Sequence, residues 1–555
     1  MTIINTASRL VTYGAAAATP LVTPETDVSQ FSTTTLKNLS LTDITRLSTS
    51  QVIQIDAANM AYLSGSQLAA FSTQQIQALT EPQVTALSST QLQSLSSRQV
   101  AAMSVEQINA ISTSKISALK ATQISAISTE VLSGLDNREL QNLTASQIQA
   151  LTTDQIVGLI ADQLSALGTT QIANLKNNQV AAIALDDITA LTTAQIKALG
   201  AAQVKSLTVA QLGALQTDQI QAIDTSDMAG LTATQVGAWS STQLRSLSTA
   251  QVNALNLNVF KALSTTQMQA FSTTQVSKLG DAQIKAMSAS QFDALSTSQL
   301  EALTTSQVAL LTVADLATLD ANDVAAFSTA DVRAMNNTQI RSLSSTVLAG
   351  MSTAQLNAIT TTLVTNLAGG AISALSSDQI QSLSTSHINA LSATQVKSLS
   401  ASAVGNMTTA QINSLSDSQV KLLSASQISG LSSTQIASLS TAKISLLSAE
   451  QLAAFDSNDI GALTTSQSAG FGSTQIKALS AVQVGALNAD FIEYISTSQF
   501  KQFSNTQISA LSTGAVAKLI ANDLNALSSS QIRSLTTTQI SALSTGINVN
   551  LTTAR

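Results

Sequence analysis

The side chains that invite a catalytic or metal-binding reading are one imidazole, His387, a few groups of aspartates, and a large stock of serine and threonine hydroxyls. A hydroxyl becomes a nucleophile only beside a base that a third group orients. A lone histidine in a chain without cysteine cannot assemble the usual His/Cys set around zinc. The aspartates fall as Asp186-Asp187, Asp224 to Asp227, Asp320 to Asp323 and Asp456 to Asp459, and they lack the ligand density and the glycine of a calcium loop. Gly369-Gly370 has no phosphate-cradling motif around it and reads as a local kink. The expectation is a protein that is not an enzyme, with no catalytic, cofactor-binding or metal-binding residue and no cofactor.

These residues take their meaning from a period of eight. From Phe31 to Leu551 an apolar residue recurs at every eighth position without insertion or deletion. The unit approximates Ser-Thr-x-Gln-Ile-x-Ala-Leu, as in Ser264 to Phe271 and Ser296 to Leu303. Numbering the octad from its Ser/Thr, positions five and eight are almost uniformly apolar and form two ladders; Ser468 breaks the first of them, and Trp239 sits on the second. The spacing alternates three and five, so a straight α-helix would rotate its apolar stripe by about 80° per octad. A continuous helix is therefore excluded, whereas positions five and eight of one octad share a face as an i,i+3 pair.

Position one shows where short helices restart. It is Ser or Thr, or else a residue such as Asp56, Asp136, Asn256, Asn336, Gly200 or Gly280, which is the preference list of a helix N-cap. Three residues later comes Gln, replaced in places by Glu139, Asp187, Asp227, Asp315, Asp323, Asp331 or Asp459, and this completes a reciprocal capping box. Leu before the cap and Ile four after it form a hydrophobic staple. Pro82 falls in a first turn, where its missing N–H costs no helical bond. Lys120, Ile160, Lys176, Ala184 and Ile520 occupy the cap position and are expected to mark weak turns. His387 replaces the box Gln and reads as a solvent-side substitution.

Helices this short are unstable alone and must stack on their neighbours. The small residue at position seven (Ala286, Ser398, Gly430) would let successive helices approach, with bulk only locally at Leu310, Leu446 and Tyr494. The fold class expected is all-α, a solenoid or superhelix of very short capped helices, one per octapeptide. The rival is a triangular β-solenoid of three octads per coil, but 21 glycines in 555 residues are too few for its corners.

Composition narrows the function classes. Apolar residues at 44% suffice for a core, while 3% aromatic and 10% charged leave a surface of hydroxyls and amides. Net charge is −7 and the cations are scattered singly, so nothing would neutralise a phosphate backbone and nucleic acid is not expected as a partner. No stretch has the length of a transmembrane span. Residues 1–30 fall outside the register and read as an N-terminal arm or cap; residues 31–555 read as one continuous octapeptide-repeat solenoid. The first residues lack the pattern of a secretory signal.

The string Leu-Ser-Thr-x-Gln-Ile-x-Ala-Leu, approximated by Leu295 to Leu303 and Leu535 to Leu543, resembles the octad arrays of large Gram-negative bacterial surface and secreted proteins. The resemblance implies an extracellular or cell-surface structural role, such as a stalk, fibre, sheath or matrix, reached by a non-classical export route; a cytoplasmic scaffold is the alternative. Bacterial DNA-binding solenoids open their repeats in a similar way, but they need a basic reading loop that this chain lacks.

The function expected is a self-assembling structural subunit joined end to end or laterally. Phe31, Leu36, Ile540, Leu543 and Leu551 on the terminal ladders are the candidate assembly residues. The alternative is a monomeric adhesin stalk that binds a cell surface or glycan. Local function is expected, if anywhere, where the octad is violated: Ser468 to Phe471, Gly369-Gly370, and Phe491 to Ile495.

Overall fold

The computed structural model describes residues 21–543. Among them are sixty-four α-helices of four to six residues, one short 3-10 helix at Val28–Gln30, and no strand, so the β-solenoid alternative is excluded. Each helix occupies one octad, as in Ser89–Ser94, Ala145–Ala150 and Thr409–Ser414. No described residue has a positive φ, so the reversals between helices need no glycine. The chain divides into two compact units, residues 1–271 and 272–555, and each follows the same plan.

Local structure follows from the cap. Position one is extended; at Ser88, φ is −74° and ψ is 160°, and its Oγ accepts the Gln91 N–H. Gln91 Oε1 in return accepts the Ser88 N–H at 2.8 Å. The helix ends at position eight, where the backbone returns to extended geometry and the Leu95 N–H closes on the Leu92 carbonyl at 3.2 Å. The next residue is already a new cap. Where the cap has no acceptor, only half the box is lost: Ile160 and Lys176 still donate their N–H groups to Gln163 and Gln179, and both head full six-residue helices. The weak turns expected at these two positions do not occur, although the Gln side of the box alone does not secure a long helix, since Lys120 also donates its N–H to Gln123. The turns at Lys120 and Ala184 are short, at four residues each.

Within each unit nearly every helix packs on the one three octads further along. Both apolar ladders point inward, and most position-five residues are entirely buried. Position seven meets position two of the octad 29 residues earlier: a Cβ on Gly350 would lie 2.6 Å from Ala321 Cα, and one on Gly430 would strike the Ala401 carbonyl. Small residues at position seven therefore set the approach of successive coils. Tyr494 escapes the limit by standing out into solvent.

At the N-terminal end, residues 21–30 lie on the first coil. Val22 and Val28 are buried, the Leu21 N–H donates to Asp43, and Gln51 donates to the carbonyls of Thr23 and Thr26. Residues 1–20 and the final octad, which carry the remainder of the proposed arm and Leu551, lie outside the described residues.

Candidate functional site

The chemistry of the octad concentrates on the glutamine at position four, which is buried almost throughout. Its oxygen serves the cap three residues back. Its nitrogen does what the sequence reading did not foresee: it donates to two main-chain carbonyls 31 and 28 residues earlier. Gln83 Nε2 lies 2.8 Å from Val52 O and 2.7 Å from Ile55 O. Gln155 makes the same pair to Ile124 and Ile127, at 2.9 and 2.7 Å, and Gln411 to Ile380 and Leu383, at 2.8 and 2.7 Å. One amide thus caps its own helix and ties the carbonyls of both ladder residues in the coil below.

The separation also fixes the coil. A shift of 28 residues is 28/8 = 3.5 octads, so the short helices wind with three to four to each superhelical turn. A second, patchier set of bonds runs the other way from position six: Gln93, Gln221 and Asn413 reach the position-seven carbonyl 25 residues ahead at 2.7 to 2.8 Å.

Replacements at position four test the role. His387 is buried, contrary to the solvent-side placement expected from its register. Its Nε2 reaches Ile359 O, 28 residues earlier, at 2.7 Å, and its Nδ1 faces Ser384 Oγ at 2.6 Å. The imidazole reproduces both ends of the amide, which draws it inward. Lys443 likewise donates from Nζ to Leu415 O, again 28 residues back. A carboxyl group in the same slot brings acceptors only. Glu139 is buried and its Oε2 has no hydrogen-bond partner. Asp459 and Asp523 accept instead from the Ser433 and Thr497 hydroxyls 26 residues earlier.

Burial pushes the carboxyls of Asp187, Asp227, Asp323 and Asp459 above their ordinary range, and neighbouring aspartates add to the rise. The Ser40 hydroxyl bonded to Asp43 holds that carboxyl below it. Asp320 and Asp456 are caps, each accepting two main-chain N–H groups of its first turn. Asp187 and Asp227 sit in the slot without completing a box.

The three violated stretches have packing explanations. Phe491, in a glutamine slot, meets Phe471 edge to face at 5.2 Å, and Ser468 Oγ reaches Tyr494 O. The helices that carry the small ladder residue and the aromatic slot residue, Thr465–Ser468 and Ala489–Tyr494, pack on one another across one coil. Gly369-Gly370 opens an ordinary short helix, Gly369–Ile372, rather than a kink, and Gly369 O accepts from Ser398. Trp239 is buried on its ladder with Nε1 unpaired.

Of the proposed assembly residues, Leu551 lies outside the described residues. Leu36 is buried within the first coil, whereas Phe31, Ile540 and Leu543 are half-buried. Among the described residues no group of three His, Cys, Asp or Glu is placed to hold a metal ion, and no helix is long and apolar enough to cross a membrane.

With this geometry in view, a comparison with protein families finds the ALTTAQ repeat in five stretches: residues 180–219, 220–257, 324–361, 452–489 and 516–553. The name is spelled out by Ala190-Leu191-Thr192-Thr193-Ala194-Gln195, which spans the ladder, the cap and the bonding glutamine. Each stretch takes in about five octads, somewhat more than one superhelical turn. No curated protein matches the chain. The chain is a repeat protein with the architecture of a regular helical solenoid.

Proposed function

We propose that this chain is a non-enzymatic structural protein, a self-assembling subunit of an extracellular filament, sheath or surface matrix. The polar groups support a structural reading, since the hydroxyl of each regular octad caps a helix and its amide ties two coils, which leaves the common side chains committed to architecture.

The observation that carries self-assembly is an apolar ridge in the first unit. Leu185, Val209 and Leu257 occupy position two, elsewhere usually Ser, Thr or Ala, and all three are more than 40% exposed. Their helices, Leu185–Ile188, Val209–Ala214 and Leu257–Ala262, stack in order with Ala233–Gly237 between the last two, so the exposed side chains line one flank. A row of apolar groups on an otherwise hydroxyl-rich surface is what lateral association would bury. Contacts that do not close on themselves generate fibres or sheets.

Electron microscopy of the purified chain at micromolar concentration tests the reading. Filaments or sheets that disappear in a Leu185→Ser, Val209→Ser, Leu257→Ser variant support it. Single particles that never associate overturn it in favour of a monomeric stalk that adheres to a surface or glycan.

A further inference from the structure

We propose that the coil carrying Asp315, Asp323 and Asp331 is a mechanical yield point, so that the chain works as an extensible element that lengthens under tension by opening there first. The inference goes beyond the assembly reading and does not depend on it.

Coils in this fold are joined by the apolar ladders, by the amide bonds from position four and by the patchier bonds from position six. After the first coil, the longest run of octads without a glutamine in that slot is the three at Asp315, Asp323 and Asp331. Three octads, or 24 residues, amount to nearly one superhelical turn. On either side the bonding is intact: Gln307 donates to Val276 and Leu279, both at 3.0 Å, and Gln339 to Val308 and Leu311, at 2.9 and 3.0 Å. Between them, the hydrogen bonds of the three aspartate side chains go to their own caps, Thr312, Asp320 and Ser328. The carbonyls that a glutamine would meet, those of Ile284, Met287, Phe292, Leu295, Leu300 and Leu303, therefore receive no amide from the coil above.

The charge pattern adds to the weakness. Asp293, 30 residues before Asp323, repels it across the coils, and Asp320 repels it within the octad. Two isolated aspartates elsewhere recover a bond from a hydroxyl of the earlier coil, Asp459 from Ser433 and Asp523 from Thr497. In an array whose units are held only by their neighbours, separation begins at the weakest junction. The coil here keeps its caps and ladders while lacking the position-four bonds that resist pulling apart, which suits reversible opening rather than unfolding of a damaged region.

The test is optical-tweezer extension of the full chain held by its termini. The wild type should show an early, low-force event releasing about one coil, roughly 100 Å of contour for some 28 residues. Asp315→Gln, Asp323→Gln, Asp331→Gln should remove that event or move it to higher force, and Gln147→Asp, Gln155→Asp, Gln163→Asp should create a second early event. Because the chain has no cysteine, a buried Leu300→Cys should react with maleimide at forces that leave Leu92→Cys protected. An unchanged first event in the first variant, no new event in the second, or equal reactivity of the two cysteines would overturn the proposal.

Discussion

Two stretches of the molecule use the same octad differently. From Gln67 to Gln107 six successive slots hold glutamine, and each amide reaches two carbonyls of the coil before it. From Asp315 to Asp331 the caps, the ladders and the helix lengths persist, but the position-four ties between coils are gone. The contrast separates two jobs that one residue usually performs. Capping needs only an acceptor, which Asp315, Asp323 and Asp331 supply; joining coils needs a donor, which a carboxylate lacks. A helix can therefore be locally complete and still be poorly tied to its neighbours.

The largest effect should come from breaking the tied stretch with the smallest change. Gln83→Glu keeps the acceptor for Thr80 but sets a carboxylate oxygen against the carbonyls of Val52 and Ile55 at a buried position. Two lost bonds and an uncompensated buried acceptor should cost about 3 kcal/mol, read as roughly a hundredfold loss of hydrogen-exchange protection in the adjoining octads. Next comes Gly350→Ala, whose Cβ would lie against the backbone of Ala321 and prise apart packing on which the aspartate stretch depends; about 2 kcal/mol is expected. Gly237→Ala, where a Cβ meets nothing within 4 Å, should instead stabilise by a few tenths up to about 1 kcal/mol. Thermal unfolding of the two variants side by side checks both signs.

Ser88→Ala removes a cap hydroxyl and leaves the Gln91 ties in place, at a cost of about 1 kcal/mol. It should lower helix-end protection locally without loosening the coil. The smallest effect concerns pH. Burial raises the folded-state pKa of Asp323, with its acidic neighbours contributing, so its stabilisation is full below the ordinary carboxylate range and is lost as pH rises through the elevated value. Asp323 itself should accordingly contribute more stability at pH 3.5 than at pH 6.5, a difference between wild type and Asp323→Asn that denaturant titration of the two proteins at both pH values checks.

Much of this was legible in the sequence. The two ladders, the cap at position one, the box at position four and the small residue at position seven follow from local geometry, which a period of eight displays directly. The winding was not legible, because the number of octads per turn depends on which distant carbonyls an amide meets. One signal pointed to it: a capping box accepts Glu as readily as Gln, yet the slot is overwhelmingly Gln and only once Glu, at Glu139, whose outer oxygen is stranded. That bias marks a second duty for the amide nitrogen. The inward turn of His387 follows from the same duty. The pairing of Phe471 with Phe491 was hidden for another reason, since residues 20 apart in sequence become neighbours only once the coil length is known.

The central claim is that the glutamine nitrogen, not its capping oxygen, holds coil to coil. Native-state hydrogen exchange on a Gln83→Asp, Gln91→Asp, Gln99→Asp variant tests it most directly, because the substitution carries the pattern of residues 315–331 into the tied stretch. Protection across residues 52–99 falling to the level of residues 284–331 in the wild type is the predicted result. Protection unchanged from the wild type across residues 52–99 would contradict it.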